Sequence, residues 1–101
     1  MQFLVIGCDG TDEQALSRRL TAREAHLAGV LKMKEEGKAI FGTAMLDDRG
    51  NMNGSIMVVD FPSREELDAW LSIEPYVTEK VWLKIDVLPT QVPPFFMPSG
   101  K

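Results

Sequence analysis

A chain of 101 residues with net charge −4 and a single cysteine is sized for one small domain and too short for two. Hydrophobic residues make up 45% and charged residues 26%, enough for a packed core. The acidic balance excludes nucleic acid and anionic membrane surfaces as partners, because both need clustered Lys and Arg. Cys8 on its own rules out an internal disulfide and fits a reducing compartment. No apolar run approaches the ~20 residues of a membrane span. The opening Met-Gln-Phe-Leu-Val-Ile-Gly lacks the basic start of a signal peptide, so the expected location is cytoplasmic.

Phe3-Leu4-Val5-Ile6, closed by Gly7, predicts a buried strand. Thr11 with Gln14 three residues on has the capping-box pattern, and helical signals run from there to Gly37, a C′ glycine. A second box, Thr21 with Glu24, divides this helix into two pieces, the firmer from Thr21 to Glu36. At about 100° per residue, Leu16, Leu20, Leu27 and Leu31 form one narrow apolar stripe, the predicted core contact. Arg19, Arg23, His26 and Val30 form a second stripe along its edge, and Arg19 leaves it if the helix begins only at Thr21. Lys38 to Leu46 and Gly54 to Phe61 read as strands joined by the turn chemistry of Asp47-Asp48-Arg49-Gly50-Asn51. Ser63 with Glu66 opens another helix, with Leu67, Trp70 and Leu71 on one face. Pro75 breaks it, since the residue before a proline avoids helical geometry. Val81 to Leu88 is the last strand. The expected division is a domain over residues 1–90 and a Pro-rich tail over 91–101; Pro89 to Lys101 holds four of the six prolines.

The order β-α-β-β-α-β is an α+β, ferredoxin-like plan: a four-stranded antiparallel sheet with two helices on one face. Phe3 and Val5 alternate with Leu4 and Ile6, as Met57, Val59 and Phe61 do with Ile56 and Val58. A sheet apolar on both faces needs two covers. The expected second cover is a copy of the chain, giving a homodimer; the alternative is the tail folded back over the sheet.

His26 is the only histidine, the one side chain that changes charge near neutral pH without special tuning. Read from spacing alone it is either a core-edge structural residue or an acid–base group. Arg23 and Arg19 beside it are expensive to bury without an acid or an anionic ligand. Glu74, Asp9 and Asp60 are the candidate acids, with Glu74 equally readable as a water-exposed helix end. Ser55 is either a pocket hydroxyl or a strand-start residue, and Tyr76 either a hydrogen-bond donor or a core cap. Cys8 reads as a small buried residue, Trp70 as core, and Trp82 as a side chain facing a partner subunit. No phosphate loop or dinucleotide fingerprint occurs, and one His with one Cys makes no closed zinc site, so neither cofactor nor metal is implied.

The run Ser-Arg-Arg-Leu-Thr-Ala-Arg-Glu-Ala-His-Leu-Ala-Gly-Val-Leu over 17–31, Gly54-Ser55 before a strand, and Glu74-Pro75-Tyr76 before the last strand together resemble the YciI-like (YCII-related) family over residues 2 to about 90. The resemblance implies a dimeric α+β barrel-like assembly. It implies His26 as active-site histidine with a nearby carboxylate, which falls on Glu74 where the family commonly carries aspartate. The leading reading beside it is a small organic anion as ligand, clamped by Arg23 with Arg19 as the second candidate, and with Ser55 and Tyr76 at hand. The reaction would be an elimination or related proton transfer without metal, of the kind family members perform on small, often aromatic or chlorinated rings. A non-catalytic ligand-binding or accessory homo-oligomer is the alternative.

Overall fold

Strand alternation sets the sheet. The computed structural model describes residues 1–98. Its strands are β1 (Gln2–Asp9), β2 (Ala39–Leu46), β3 (Met52–Asp60) and β4 (Trp82–Thr90), and its helices α1 (Ala15–Glu35), α2 (Arg64–Leu71) and α3 (Pro75–Thr78). The strands run antiparallel in the order β2-β3-β1-β4. This is the expected ferredoxin-like α+β plan with one addition, α3. Pro75 does break the preceding helix, but it also starts a new one at N1, where its missing N–H costs nothing.

On β1 and β3 the odd-numbered residues face the helices. Phe3, Val5, Met57, Val59 and Phe61 meet Leu67, Tyr76 and Val81 in the core. Trp82 joins them and is buried, which corrects its expected place against a partner subunit. Gly7 makes room for it: a Cβ on Gly7 would lie 2.4 Å from the indole ring. Ser63 caps α2 as its motif predicts, accepting the Glu66 N–H at 3.2 Å. Trp70 and Leu71 are half-buried against the core, Trp70 stacking on Phe61 with ring centroids 5.7 Å apart.

Helix α1 departs from the expectation in three ways. It begins at Ala15, with no side-chain cap from Thr11; Asp12 instead accepts the Gln14 N–H at 3.2 Å and holds Arg18 through both carboxylate oxygens. That contact keeps the Asp12 carboxyl low, at about 2. The helix also runs unbroken through Thr21, so the second capping box is not used and Arg19 stays in its stripe. Finally, the helix is rolled. Ala15, Arg19, Ala22, His26 and Met33 face the sheet, while Leu20, Leu27 and Leu31 are exposed, Leu31 by 57%. Alanines at 15 and 22 let the helix approach closely, and Arg19 and His26, each four positions after one of them, find buried partners. The C-terminus follows the sequence: Gly37 at φ +80° ends α1 in a Schellman motif, Gly37 N–H to Lys34 and Lys38 N–H to Met33.

The helices cover one face only. On the other, Leu4, Ile6, Ile56 and Val58 are half-buried and Phe41 and Leu88 exposed. Cys8 shares that parity and is half-buried rather than enclosed. The tail meets this face at one end, Val92 N–H donating to Gln2 Oε1 at 2.6 Å and Gln2 Nε2 reaching Met97 Sδ at 3.7 Å, and it leaves Leu88 49% and Phe95 81% exposed. Residues 99–101 of the tail lie outside the described residues. Among those described, no helix is long and apolar enough to cross a membrane.

The roll of α1 has a direct test. Leu67→Ala, emptying a core site, should cost about 2–5 kcal/mol in urea unfolding. Leu20→Gln and Leu31→Gln should each stay within about 0.5 kcal/mol of wild type. Losses at Leu20 or Leu31 as large as at Leu67 would put the leucine stripe back on the sheet.

Candidate functional site

Two buried polar contacts hang from the sheet-facing side of α1. Arg19 and His26 are seven positions apart, two turns, so both reach the sheet side of the helix. Arg19 is 2% and His26 6% exposed. Arg19 Nη1 donates to Asp9 at 2.9 and 3.1 Å, and Nη2 donates to Ser55 Oγ at 2.7 Å. Asp9 ends β1 and Ser55 lies within β3, so the guanidinium bolts the helix to two strands. Burial pushes the Asp9 carboxyl above its usual range, against the pull of Arg19. The Trp82 indole N–H also donates to Ser55 Oγ, at 3.2 Å. Arg19 Nε is buried with no partner among the described residues.

One turn of chain beyond α2, Glu74 N-caps α3. Its Oε2 accepts the Tyr76 N–H at 2.7 Å and lies 2.7 Å from His26 Nδ1. Glu74 is 2% exposed, which corrects the reading of a solvated helix end. A carboxylate only accepts, so the neutral imidazole carries its proton on Nδ1 and leaves the Nε2 lone pair open. Nε2 has no protein partner among the described residues. Tyr76 lies flat on the imidazole, centroids 3.8 Å apart and planes at 10°, while Arg19 Cζ sits 4.7 Å from the Tyr76 centroid. Burial raises the Tyr76 phenol, with Arg19 and Arg23 opposing, so the hydroxyl stays protonated near neutral pH. The edge of Trp82 closes on both rings.

Arg19, His26, Ser55 and Tyr76 form one wall of a cleft of about 460 Å³ between α1 and β2. The far wall comes from Ile40, Gly42 and Ala44 of β2. A bulge between Ala39 and Phe41 turns Ala39 into the core and leaves Ile40 to the cleft. Arg23, exposed at the rim, and Lys34, eleven positions along α1, line the same opening. No Asp or Glu lines it; Asp9 and Glu74 stand behind Arg19 and His26. In a chain of net charge −4, this is a locally cationic recess. Its size suits one small ring compound. Among the described residues no three His, Cys, Asp or Glu converge as a metal site would require.

Of the six site residues read from the sequence, Arg19, Arg23, His26, Ser55 and Tyr76 line this cleft, and Glu74 stands behind His26. Their jobs differ from a simple listing. Arg19 has its guanidinium committed to Asp9 and Ser55, so it is a strut rather than a free clamp. Ser55 is mid-strand and buried, not a strand start. Asp9 is Arg19's acid, and Asp60 binds the Met1 amine at 3.1 Å, away from the site. Lys34 and the β2 wall went unread. The spacing of Lys34 from Arg23, three helical turns, was the available signal; the bulge at Ile40 left none.

The YCII-related domain model matches residues 1–91. Protein YciI of Escherichia coli O6:H1 is 30% identical over 95 residues, covering 88% of this chain and 95% of that one. YciI of Shigella flexneri matches equally. The chain belongs to the YCII-related family. Among solved structures, 5-chloro-2-hydroxyhydroquinone dehydrochlorinase from Burkholderia phenoliruptrix, in complex with 2,5-dihydroxybenzoquinone, superposes with a TM-score of 0.79 at 22% identity, covering 94% of this chain and 98% of that one. A dimeric ferredoxin-like protein of unknown function from Jannaschia sp. gives 0.51 at 17% identity, covering 90% and 98%. Both share the fold.

The Glu74–imidazole contact predicts a tautomer. In wild type, ¹⁵N NMR of the one histidine should show neutral rings protonated at Nδ1. Glu74→Ala should release the ring to a mixture rich in the Nε2–H form and cost about 1 kcal/mol of stability through the lost cap. An unchanged nitrogen pattern would mean that Glu74 does not hold the ring.

Proposed function

We propose that this member of the YCII-related family binds a small planar organic anion in the α1–β2 cleft and moves a proton on it. His26 Nε2 is the base that takes the proton and the acid that returns it. Glu74 is a positioning residue, fixing the tautomer and stabilising the imidazolium once formed. Arg23 and Lys34 draw the anion to the opening. The observation that carries this reading is the buried 2.7 Å contact between Glu74 and Nδ1, which commits one nitrogen and leaves the other for the cleft. The Tyr76 and His26 rings on the cleft wall favour a flat, unsaturated ligand. The likeness in fold to a dehydrochlorinase complexed with a dihydroxybenzoquinone supports a hydroxylated or quinoid ring, and an elimination is one reaction such a base would start.

The proposal includes a homodimer built on the uncovered sheet face. A continuous apolar face of Leu4, Ile6, Ile56, Val58 and Leu88 is costly to leave in water. The dimeric ferredoxin-like neighbour supports a second copy as its cover.

On a panel of hydroxylated, carboxylated and chlorinated ring compounds, His26→Gln should lower kcat by about 10²–10⁴-fold while 2,5-dihydroxybenzoquinone still binds. Arg23→Gln should raise KM with kcat little changed, the mark of binding shared by ground and transition states. Binding without turnover of any panel member would make the chain a ligand-binding protein instead, and absence of binding would remove the site.

Sedimentation at micromolar concentration should find a dimer, and Val58→Glu should give a folded monomer. A wild-type monomer would overturn the assembly.

A further inference from the structure

The donor and acceptor count at Ser55 leaves one proton unspent. A serine hydroxyl has two acceptor lone pairs and one hydrogen to give. Guanidinium and indole N–H groups can only donate. Arg19 Nη2 at 2.7 Å and Trp82 Nε1 at 3.2 Å therefore occupy both lone pairs of Ser55 Oγ. The hydroxyl hydrogen then has to point along the remaining direction, and among the described residues no acceptor receives it. Ser55 is buried, yet it lines the cleft that also holds His26. An O–H that accepts from a cation is polarised and a stronger donor than an ordinary serine. Gly7 pairs with it across the sheet, and the space a Cβ there would fill holds the Trp82 indole that donates to Ser55. The chain has thus spent a buried arginine, a buried aspartate and a tryptophan N–H on orienting one hydroxyl.

We propose that Ser55 is an oxyanion donor: its hydroxyl binds a negatively charged oxygen, phenolate, enolate or quinoid, on the ligand whose proton His26 handles. This rests on the proton-transfer reading above and names the atom class the cleft recognises. For a ring ketone the step balances simply. The C–H proton passes to His26 Nε2, the C–H electron pair forms the ring C=C, and the carbonyl π pair moves onto the oxygen facing Ser55. The charge develops where a donor already waits, which is the arrangement that lowers a barrier most. Asp9 and Arg19 act through Ser55 as positioning residues, which gives the Arg19 strut a purpose beyond packing.

The test uses two probes of equal shape, 4-nitrophenol and 4-nitrotoluene, at a pH above the phenol's own ionisation. Affinities are read by quenching of tryptophan fluorescence. Wild type should prefer the phenolate. Ser55→Ala should cut that preference about 10-fold or more, the effect of losing one charge-directed donor, with nitrotoluene affinity unchanged. Because Ser55→Ala strands two buried donors and can fail to fold, Trp82→Phe is the second variant. It frees one lone pair, relaxes the hydroxyl, and should cut the preference by a smaller factor; phenolate binding is read from its visible band and nitrotoluene binding from its displacement of the phenolate. Preference unchanged in whichever of the two variants folds would overturn the proposal while leaving the His26 reading intact. Wild type that binds neither probe, nor 2,5-dihydroxybenzoquinone, would instead sink the cleft as a site, and this proposal with it.

Discussion

A buried carboxylate has to be met by donors, and the placing of Glu74 follows from that requirement. Its Oε2 takes a backbone N–H from α3 and faces the imidazole of α1. A second buried acid, Asp9, takes Arg19 two turns earlier on the same helix. Either contact broken on one side would leave an unpaired polar group or charge in the core, a loss of several kcal/mol in the worst case. The two together fix both the roll and the axial position of α1. The cleft, the exposed leucines and the open Nε2 are consequences of that fixed roll.

The same contacts explain what the sequence made legible and what it hid. Local chemistry was readable: Ser63 and Glu66 start α2, Gly37 ends α1, and Phe3, Val5, Met57 and Val59 alternate with Leu4, Ile6, Ile56 and Val58 as a sheet apolar on both faces requires. The roll of α1 was not, because four leucines outweigh an arginine and a histidine on any hydropathy count. What decides it lies elsewhere in the chain. His26 meets an acid 48 positions away, and Arg19 meets a serine 36 away. Thr21 shows the converse error. Its capping pattern is genuine in isolation, but a helix already docked at Ala15 and Ala22 gains more by continuing than by restarting.

The resemblance to the YCII-related family supplied the pairing of His26 with Glu74, which spacing left open. The substitution of glutamate for the family's usual aspartate is accommodated locally. The added methylene lets the carboxylate reach the imidazole while still capping α3, so one oxygen serves helix and ring at once. Arg19 is the counterexample: its place on the helix stripe suggested a ligand contact, and the geometry spends the guanidinium on the protein itself.

Strand β2 forms one margin of the sheet, and its pairing register with β3 is broken at both ends, at Ala39/Phe41 and at Met45/Leu46. Only the five positions from Phe41 to Met45 run in uninterrupted register. Segments that zip into fibrils need about six or seven residues of flat, unbroken strand. The kink that aims Ile40 at the cleft therefore also denies a stray chain a template long enough to grow on. Pro89, which lacks an N–H, interrupts the donor row of β4 at the opposite margin. A sheet with one naked apolar face and two open borders is in this way kept from polymerising edge to edge.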